Sequence, residues 1–191
     1  MICGIVLAAG AGSRLGRPKA EVLLGGRRLL DRAVATMLAG GCDKVLAVVR
    51  SEEVSADGAS TVVNPNPDDG MGSSLRTGLA AVPEDTDAVV VTLVDLPDVA
   101  PGDVRALFGW YRQGASIVVT RRAGVRSHPV LVARRWLADF AASAVGDQGG
   151  RDFINGHFDI VEYVDVERPI TDIDTPEDLA EAEQRFADKP R

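Results

Sequence analysis

Much of what builds a familiar active site is scarce in this 191-residue chain. Its two cysteines, Cys3 and Cys42, are too few for a disulfide framework or a thiolate metal cluster, and they suit a reducing, cytoplasmic setting. Two separate histidines, His128 and His157, provide no zinc ligand set. Aromatic residues make up only 5%, so no base-stacking platform for RNA is visible. No apolar run nears the roughly 20 residues of a membrane span. The eight or so apolar residues at the start, without a basic leader, read as a buried strand and not as a secretory signal. A G-x-S-x-G elbow is missing, which leaves serine hydrolase chemistry without support. Net charge is -7, which disfavours bulk attraction to nucleic acid, and neither a nucleic-acid nor a membrane partner is expected. The length suffices for one sizeable core and is short for two, so residues 1–191 are expected to form a single domain.

Positive charge is outnumbered overall, 21 Lys and Arg against 28 Asp and Glu, but locally concentrated. From Arg14 to Arg28 there are five cations against one acid, Glu21, and from Arg121 to Arg135 there are five cations and no acid. An acidic protein with two such segments suggests two anionic groups to be held. Solvated loop arginines are the competing explanation for the second segment.

Helix and strand patterns alternate along the chain. Continuous apolar runs at Ile2–Ala8, Lys44–Val49 and Ala88–Val94 fit strands buried on both faces, with a short one at Ser60–Val63. Leu29 to Leu38 follows helical spacing and ends at Gly40-Gly41. The stretch from Asn64 to Gly70 is a loop by its turn chemistry, and Ser73 or Ser74 is expected to cap a helix reaching Val82. Asp103–Arg112 and Trp136–Ala142 read as helices, and Ser116–Thr120 and Val130–Ala133 as strands joined by a hairpin turn over Arg121–Ser127. After a glycine-rich loop, Gly146–Gly150, come a helical turn at Arg151–Asn155, a strand at Asp159–Val166, and a helix started by Thr175-Pro176. This alternation predicts an α/β fold of three layers, a mostly parallel twisted sheet with helices on both faces. Ligands in such folds sit at the carboxyl ends of the strands.

The residues expected to carry chemistry fall at those ends. Gly10, Gly12 and Gly16 follow the first strand with spacing G-x-G-x-x-x-G, one residue too long for a dinucleotide-binding loop. Arg50, not an acid, ends the second strand, and no G-K-[ST] is present for a P-loop. What remains is a flexible loop whose backbone N–H groups can close around an oxyanion, with Arg14, Arg17 and Lys19 as countercharge. A triphosphate needs that arrangement more than a diphosphate does, and a plain strand–helix connection is the alternative. Asp95, just past the apolar strand, is placed to hold Mg²⁺ or merely to begin a turn with Pro97. Asp174 either joins it as a second metal ligand or, with Asp172, serves the start of the last helix. His128, beside Arg126 in a segment free of acids, suits an anionic acceptor; His157 has no such context and reads as a surface residue.

Six segments taken in order resemble the family of small nucleotidyltransferases that act on the molybdenum cofactor, and within it the cytidylyltransferase branch. They are Leu7-Ala-Ala-Gly-Ala-Gly-Ser-Arg-Leu-Gly16 with Pro18-Lys19; Gly70-Met-Gly-Ser-Ser-Leu-Arg76; Asp95-Leu-Pro97; His128-Pro-Val130; Gly146-Asp-Gln-Gly-Gly-Arg151; and Asp172-Ile-Asp-Thr-Pro-Glu-Asp178. The resemblance implies a Rossmann-like nucleotidyltransferase fold. It implies that Leu7, Ala8, Ala9, Gly10, Gly12 and Ser13 hold a nucleoside triphosphate, with Gly72, Ser73 and Ser74 near its base and ribose. Arg14, Lys19 and Asp95 would be catalytic, with Asp95 binding Mg²⁺, and His128, Asp147 and Gly149 would face a phosphorylated pterin acceptor. A molybdoenzyme receiving the product is a further partner that the resemblance allows. Guanylyl-transferring relatives typically open L-A-G-G; here Leu7-Ala8-Ala9-Gly10 has the cytidylyl form, which favours CTP. Three departures fall in or beside these segments: Ala20-Glu21-Val22 after the lysine, Ser127 before His128, and Gly150 where alanine is common.

Overall fold

The computed structural model describes residues 1–187. In chain order it contains β1 (Ile2–Leu7), β2 (Leu23–Leu24), β3 (Arg27–Arg28), α1 (Leu29–Ala39), β4 (Lys44–Val49), β5 (Ser60–Val63) and α2 (Met71–Ala80). There follow β6 (Ala88–Leu93), α3 (Pro101–Arg112), β7 (Ile117–Arg122), β8 (Val125–Ala133), α4 (Leu137–Ser143), α5 (Arg151–Gly156), β9 (Val161–Asp165) and α6 (Pro176–Ala187). Seven strands form one sheet in the order β5-β4-β1-β6-β8-β7-β9. Only β8 runs against the rest, antiparallel to both β6 and β7. The expected mostly parallel three-layer fold is therefore present.

The apolar runs earn their continuity because both faces of each central strand are covered. Side chains alternate across the sheet with period two. Val6, Val45, Val90 and Val118 face a core built with Leu30, Met37, Leu107 and Phe108 of α1 and α3. Ile5, Val48, Val89 and Val119 face the opposite core, with Leu75 and Leu79 of α2 and Phe140 and Phe153 beyond. Cys3 and Cys42 are free and buried, and burial pushes their thiols up to about 11 and about 12. Neither is a nucleophile at neutral pH. Among the described residues no helix is long and apolar enough to cross a membrane.

Four local details differ from the sequence expectation. A small hairpin, β2 with β3, was not foreseen; it turns at Gly25-Gly26, both with positive φ. Helix α2 starts at Met71, so Ser73 and Ser74 lie inside its first turn and do not cap it. Their hydroxyls instead meet Asn64 and Asn66 of the preceding loop. Strands β7 and β8 run far into the supposed turn, leaving only Ala123 and Gly124 between them. Helix α3 begins at Pro101, with the Asp103 carboxylate accepting from the Ala100 N–H at 3.0 Å. The last helix starts as expected: Thr175 Oγ1 accepts from Asp178 N–H at 3.2 Å, and Asp178 Oδ2 accepts from Thr175 N–H at 2.8 Å.

The five cations from Arg121 to Arg135 do not gather into one anion site. Arg121 forms a fork with Asp165 at the sheet edge, at 2.7 Å for both bonds. Arg122 is buried against Asp103 at 2.7 Å, and Arg134 and Arg135 hold oxygens of Thr86 and Ser116, just before the amino ends of β6 and β7. Of the five, Arg126 borders a cavity at the carboxyl ends of the strands, while Arg134 and Arg135 border a separate one with Asp87 and Tyr111. The Arg122–Asp103 pair has a structural purpose. Arg168 joins Asp103 at 2.8 Å, Arg122 donates to the Arg168 carbonyl at 2.6 Å, and Arg168 Nε donates to the Asp98 carbonyl at 3.2 Å. These bonds anchor the segment that brings residues 172–175 back to the strand ends.

Candidate active site

β1 connects through α1 to β4 on one side, while β6 adds on the other, so the sheet order reverses beside the carboxyl end of β1. The glycine loop leaves the sheet at that point. Gly12 takes φ +61, and a Cβ there would lie 2.0 Å from the Arg17 carbonyl oxygen, so only glycine fits. The loop curls back tightly enough for Lys19 N–H to donate to Gly10 O at 3.4 Å.

That curl aims Lys19 at the end of β6. Its ammonium donates to Asp95 Oδ2 at 2.5 Å and also to Asp174 Oδ1. Ile173 N–H donates to the Asp95 carbonyl at 3.0 Å, which pins Asp174 beside Asp95. Arg14 lies 3.8 Å from Asp174 and is largely exposed. Burial works against the Lys19 charge, but the two carboxylates outweigh it and hold the ammonium above its ordinary value. Residues 76 and 155 positions apart thus meet in one cluster.

One oxygen in this cluster is unsatisfied. Asp95 Oδ1 is buried and has no hydrogen-bond partner. A buried carboxylate oxygen without a donor is costly, and it is suited to ligating a cation. Among the described residues no group of three His, Cys, Asp or Glu side chains could hold a metal by itself. A divalent ion here would complete its shell from phosphate and water oxygens, the usual arrangement for Mg²⁺. The donor set therefore fits such an ion when it arrives with a phosphorylated ligand.

Two cavities open at this face and share Leu7, Met71, Leu93 and Asp147. The smaller, of about 230 Å³, is bordered by Ala9, Gly10, Lys19, Pro67, Ser74 and Asp95. The larger, of about 650 Å³, has apolar walls from β6, β7, β8 and α5, with Arg126, His128, Gly149 and Asp172 among its polar borders. Of the residues expected at the nucleotide, Leu7, Ala9, Gly10 and Ser74 border the smaller cavity. Ala8 and Ser73 are buried, and Ser13 is exposed. Gly72 is pressed on another element: a Cβ there would stand 2.7 Å from the Ala144 backbone.

His128 sits at an irregularity of β8. Val119 pairs with Val130 but Thr120 with Ser127, which leaves His128 and Pro129, joined by a cis peptide, as extra residues. The ring Nδ1 lies 3.4 Å from the Val91 carbonyl. Burial lowers the His128 pKa, against smaller opposing effects of the Val91 carbonyl and the Asp95 charge. The side chain is therefore neutral at pH 7 and can give or accept a hydrogen bond. His157 is not a loose surface residue; it packs on Trp136 with ring centroids 4.7 Å apart.

Two residues of this region were missed by sequence reasoning. Arg50 Nε donates to the Ala9 carbonyl at 3.2 Å and its NH2 to Asp68 at 2.6 Å, so it braces both loops that border the smaller cavity. Asn64 is 1% exposed and binds Ser73, Ser74 and Asn66. A cation where a dinucleotide site needs an acid, and an Asn-Pro opening a loop, were the available signals.

Comparison with known proteins agrees with this fold. A protein of Paenarthrobacter nicotinovorans named nicotine blue oxidoreductase is 33% identical over 198 residues, covering 97% of this chain and 95% of its own length. A protein of Rhizobium leguminosarum bv. trifolii named molybdenum cofactor guanylyltransferase is 34% identical over 203 residues, covering 96% and 92%. Among solved structures, Rv0371c from Mycobacterium tuberculosis H37Rv superposes with a TM-score of 0.83 at 27% identity, over 96% of this chain and 97% of that one. A second structure of Rv0371c, TM-score 0.80 at 26% identity over 96% of this chain and 98% of that one, is a complex with manganese. The family model described as the MobA-like NTP transferase domain matches residues 4–161, and the chain belongs to that family.

Proposed function

We propose that this chain transfers CMP from CTP to the terminal phosphate of the molybdopterin cofactor, with release of pyrophosphate. The observation that carries the reading is the unpartnered, buried Asp95 Oδ1 beside a cation-bearing glycine loop, where two cavities meet. The smaller cavity takes the nucleotide and the larger the acceptor. Asp95 and Asp174 would hold Mg²⁺, which when bound would supply positive charge to offset the charge that develops in transfer. Lys19 and Arg14 leave their carboxylates and donate to the phosphates. Backbone N–H groups of residues 10–16 line up along the same oxygens. The attacking group is a phosphate monoester, already anionic at neutral pH, so no strong general base is needed. Catalysis is then positioning and charge stabilisation.

The choice of CTP rests on Ala9. Ala9 borders the smaller cavity at the position where guanylyl-transferring relatives typically carry glycine, and a methyl there leaves less room, which favours a one-ring base. The large apolar cavity fits a fused ring system better than a sugar phosphate. Pyrophosphate release should be measured with CTP, GTP and ATP against purified molybdenum cofactor. Fastest release with CTP supports the proposal, and release only with a sugar or polyol phosphate moves the acceptor.

The relative named an oxidoreductase, similar over its whole length, supports a second reading in which the larger cavity hosts redox chemistry on an organic substrate. Turnover without any nucleoside triphosphate would favour it.

A further inference from the structure

We propose that Asn64 sets the hydrogen-bond polarity of the nucleotide cavity, holding the Ser74 hydroxyl as a donor to an acceptor atom of the bound nucleoside. The inference rests on the reading of the smaller cavity as the nucleotide site. Asn64 lies at the end of β5 and is 1% exposed. Its backbone N–H donates to the Val49 carbonyl at 2.9 Å, which fixes the residue to the neighbouring strand.

The orientation of its amide follows from chemistry. The Asn66 backbone N–H can only donate, and it meets Asn64 Oδ1 at 3.0 Å. Nδ2 must then face the other way, and it donates to Ser74 Oγ at 3.0 Å. Ser73 has its own outlet, donating to the Asn66 carbonyl at 2.7 Å. Ser74 is different. Its oxygen accepts from Asn64, while its proton has no acceptor among the described residues. A serine inside a helix commonly bonds back to the carbonyl one turn earlier. No such bond forms here, although Ser74 is only 6% exposed and borders the cavity. A buried hydroxyl with an unused proton beside a cavity awaits an acceptor there. Ring carbonyl and unprotonated ring nitrogen atoms of a nucleobase, and ribose oxygens, are such acceptors.

Asn64→Asp tests this by near-isosteric reversal. A carboxylate oxygen in place of Nδ2 accepts the Ser74 proton and turns the hydroxyl into an acceptor. KM for the nucleoside triphosphate should rise by about three- to tenfold, one hydrogen bond's worth, with kcat nearly unchanged. Ser74→Ala should give a similar rise, and Asn64→Asp with Ser74→Ala together should be no worse than either alone. A purely structural role for Asn64 predicts additive losses instead, and additivity overturns the proposal. Should Asn64→Asp fail to fold, calorimetric titration of CTP with Mg²⁺ into Ser74→Ala carries the test alone. Weaker binding than wild type supports the proposal; equal binding overturns it. Wild-type protein that binds no nucleoside triphosphate overturns the nucleotide reading itself, whereas tight wild-type binding with no effect of Ser74→Ala overturns only the role of Asn64.

Discussion

The two cavities that meet at Leu7 and Asp147 are made differently. Around the smaller one, charge is fixed in place: Lys19 spans Asp95 and Asp174, Arg50 ties two loops, and Asn64 orders two serines. Around the larger one, apolar side chains form the walls and Arg126, bound to Asn155 at 2.7 Å, stands at the border. Fixed charges and hydrogen bonds define a ligand by chemistry and distance, whereas apolar walls define it by shape. On the proposed reading, the first side specifies phosphates closely, and the second leaves the acceptor open.

If that contrast holds, removing one charge on the ordered side should outweigh any single change on the other. Asp95→Asn should lower transfer by about a thousandfold or more without loss of fold, a magnitude in line with losing a key electrostatic group. Steady-state pyrophosphate release with a circular dichroism control checks this, and near-wild-type release would remove Asp95 from the chemistry. Lys19→Ala should cost about tenfold or more in triphosphate binding or transfer, equivalent to roughly 1.4 kcal/mol. Unchanged kinetics would count against the loop as a phosphate grip.

Away from both cavity linings, Gly72→Ala should lower stability by about 1–3 kcal/mol, because the added methyl meets the Ala144 backbone at 2.7 Å. A urea titration reads this directly. The smallest effect belongs to His128. Burial holds its pKa below the ordinary 6.5, so the unfolded chain takes up a proton that the native chain refuses as pH falls through 6.5. His128 thus contributes stability above that pH that is lost on acidification. His128→Gln should flatten part of the fall in stability between pH 7.5 and 5.5, measured as the difference between the two proteins. Identical pH dependence would mean that the ring is not held neutral.

How much of this was legible in the sequence follows the same division. The strands β1, β4 and β6 announce themselves because burial on both faces forces unbroken apolar runs. Gly12, Lys19 and Asp95 stood out because a tight loop, a cation and a strand-end acid are each local in sequence. Asp174 was suggested as a metal ligand, but its meeting with Lys19 depends on the Asp103, Arg122 and Arg168 cluster, which no spacing reveals. Ser73 and Ser74 were misread as helix caps. Their residue type fits a cap, yet Gly70 at φ 87 starts the helix earlier and Asn64 claims their hydroxyls. The second basic segment misled for a related reason: along β7 and β8, neighbouring side chains alternate between opposite faces of the sheet. Arg121 and Arg122 consequently find Asp165 and Asp103 as separate partners.

The central claim is that the loop after β1 grips the phosphates of a nucleotide opposite Asp95. A crystal structure of the chain with CTP and Mg²⁺ tests it most directly. The account predicts phosphate oxygens against the N–H groups of residues 10–16, electron density for an ion at Asp95 Oδ1, and Lys19 turned from the carboxylates to the phosphates. A nucleotide bound elsewhere, or an ordered nucleotide with Lys19 still spanning Asp95 and Asp174, would contradict it.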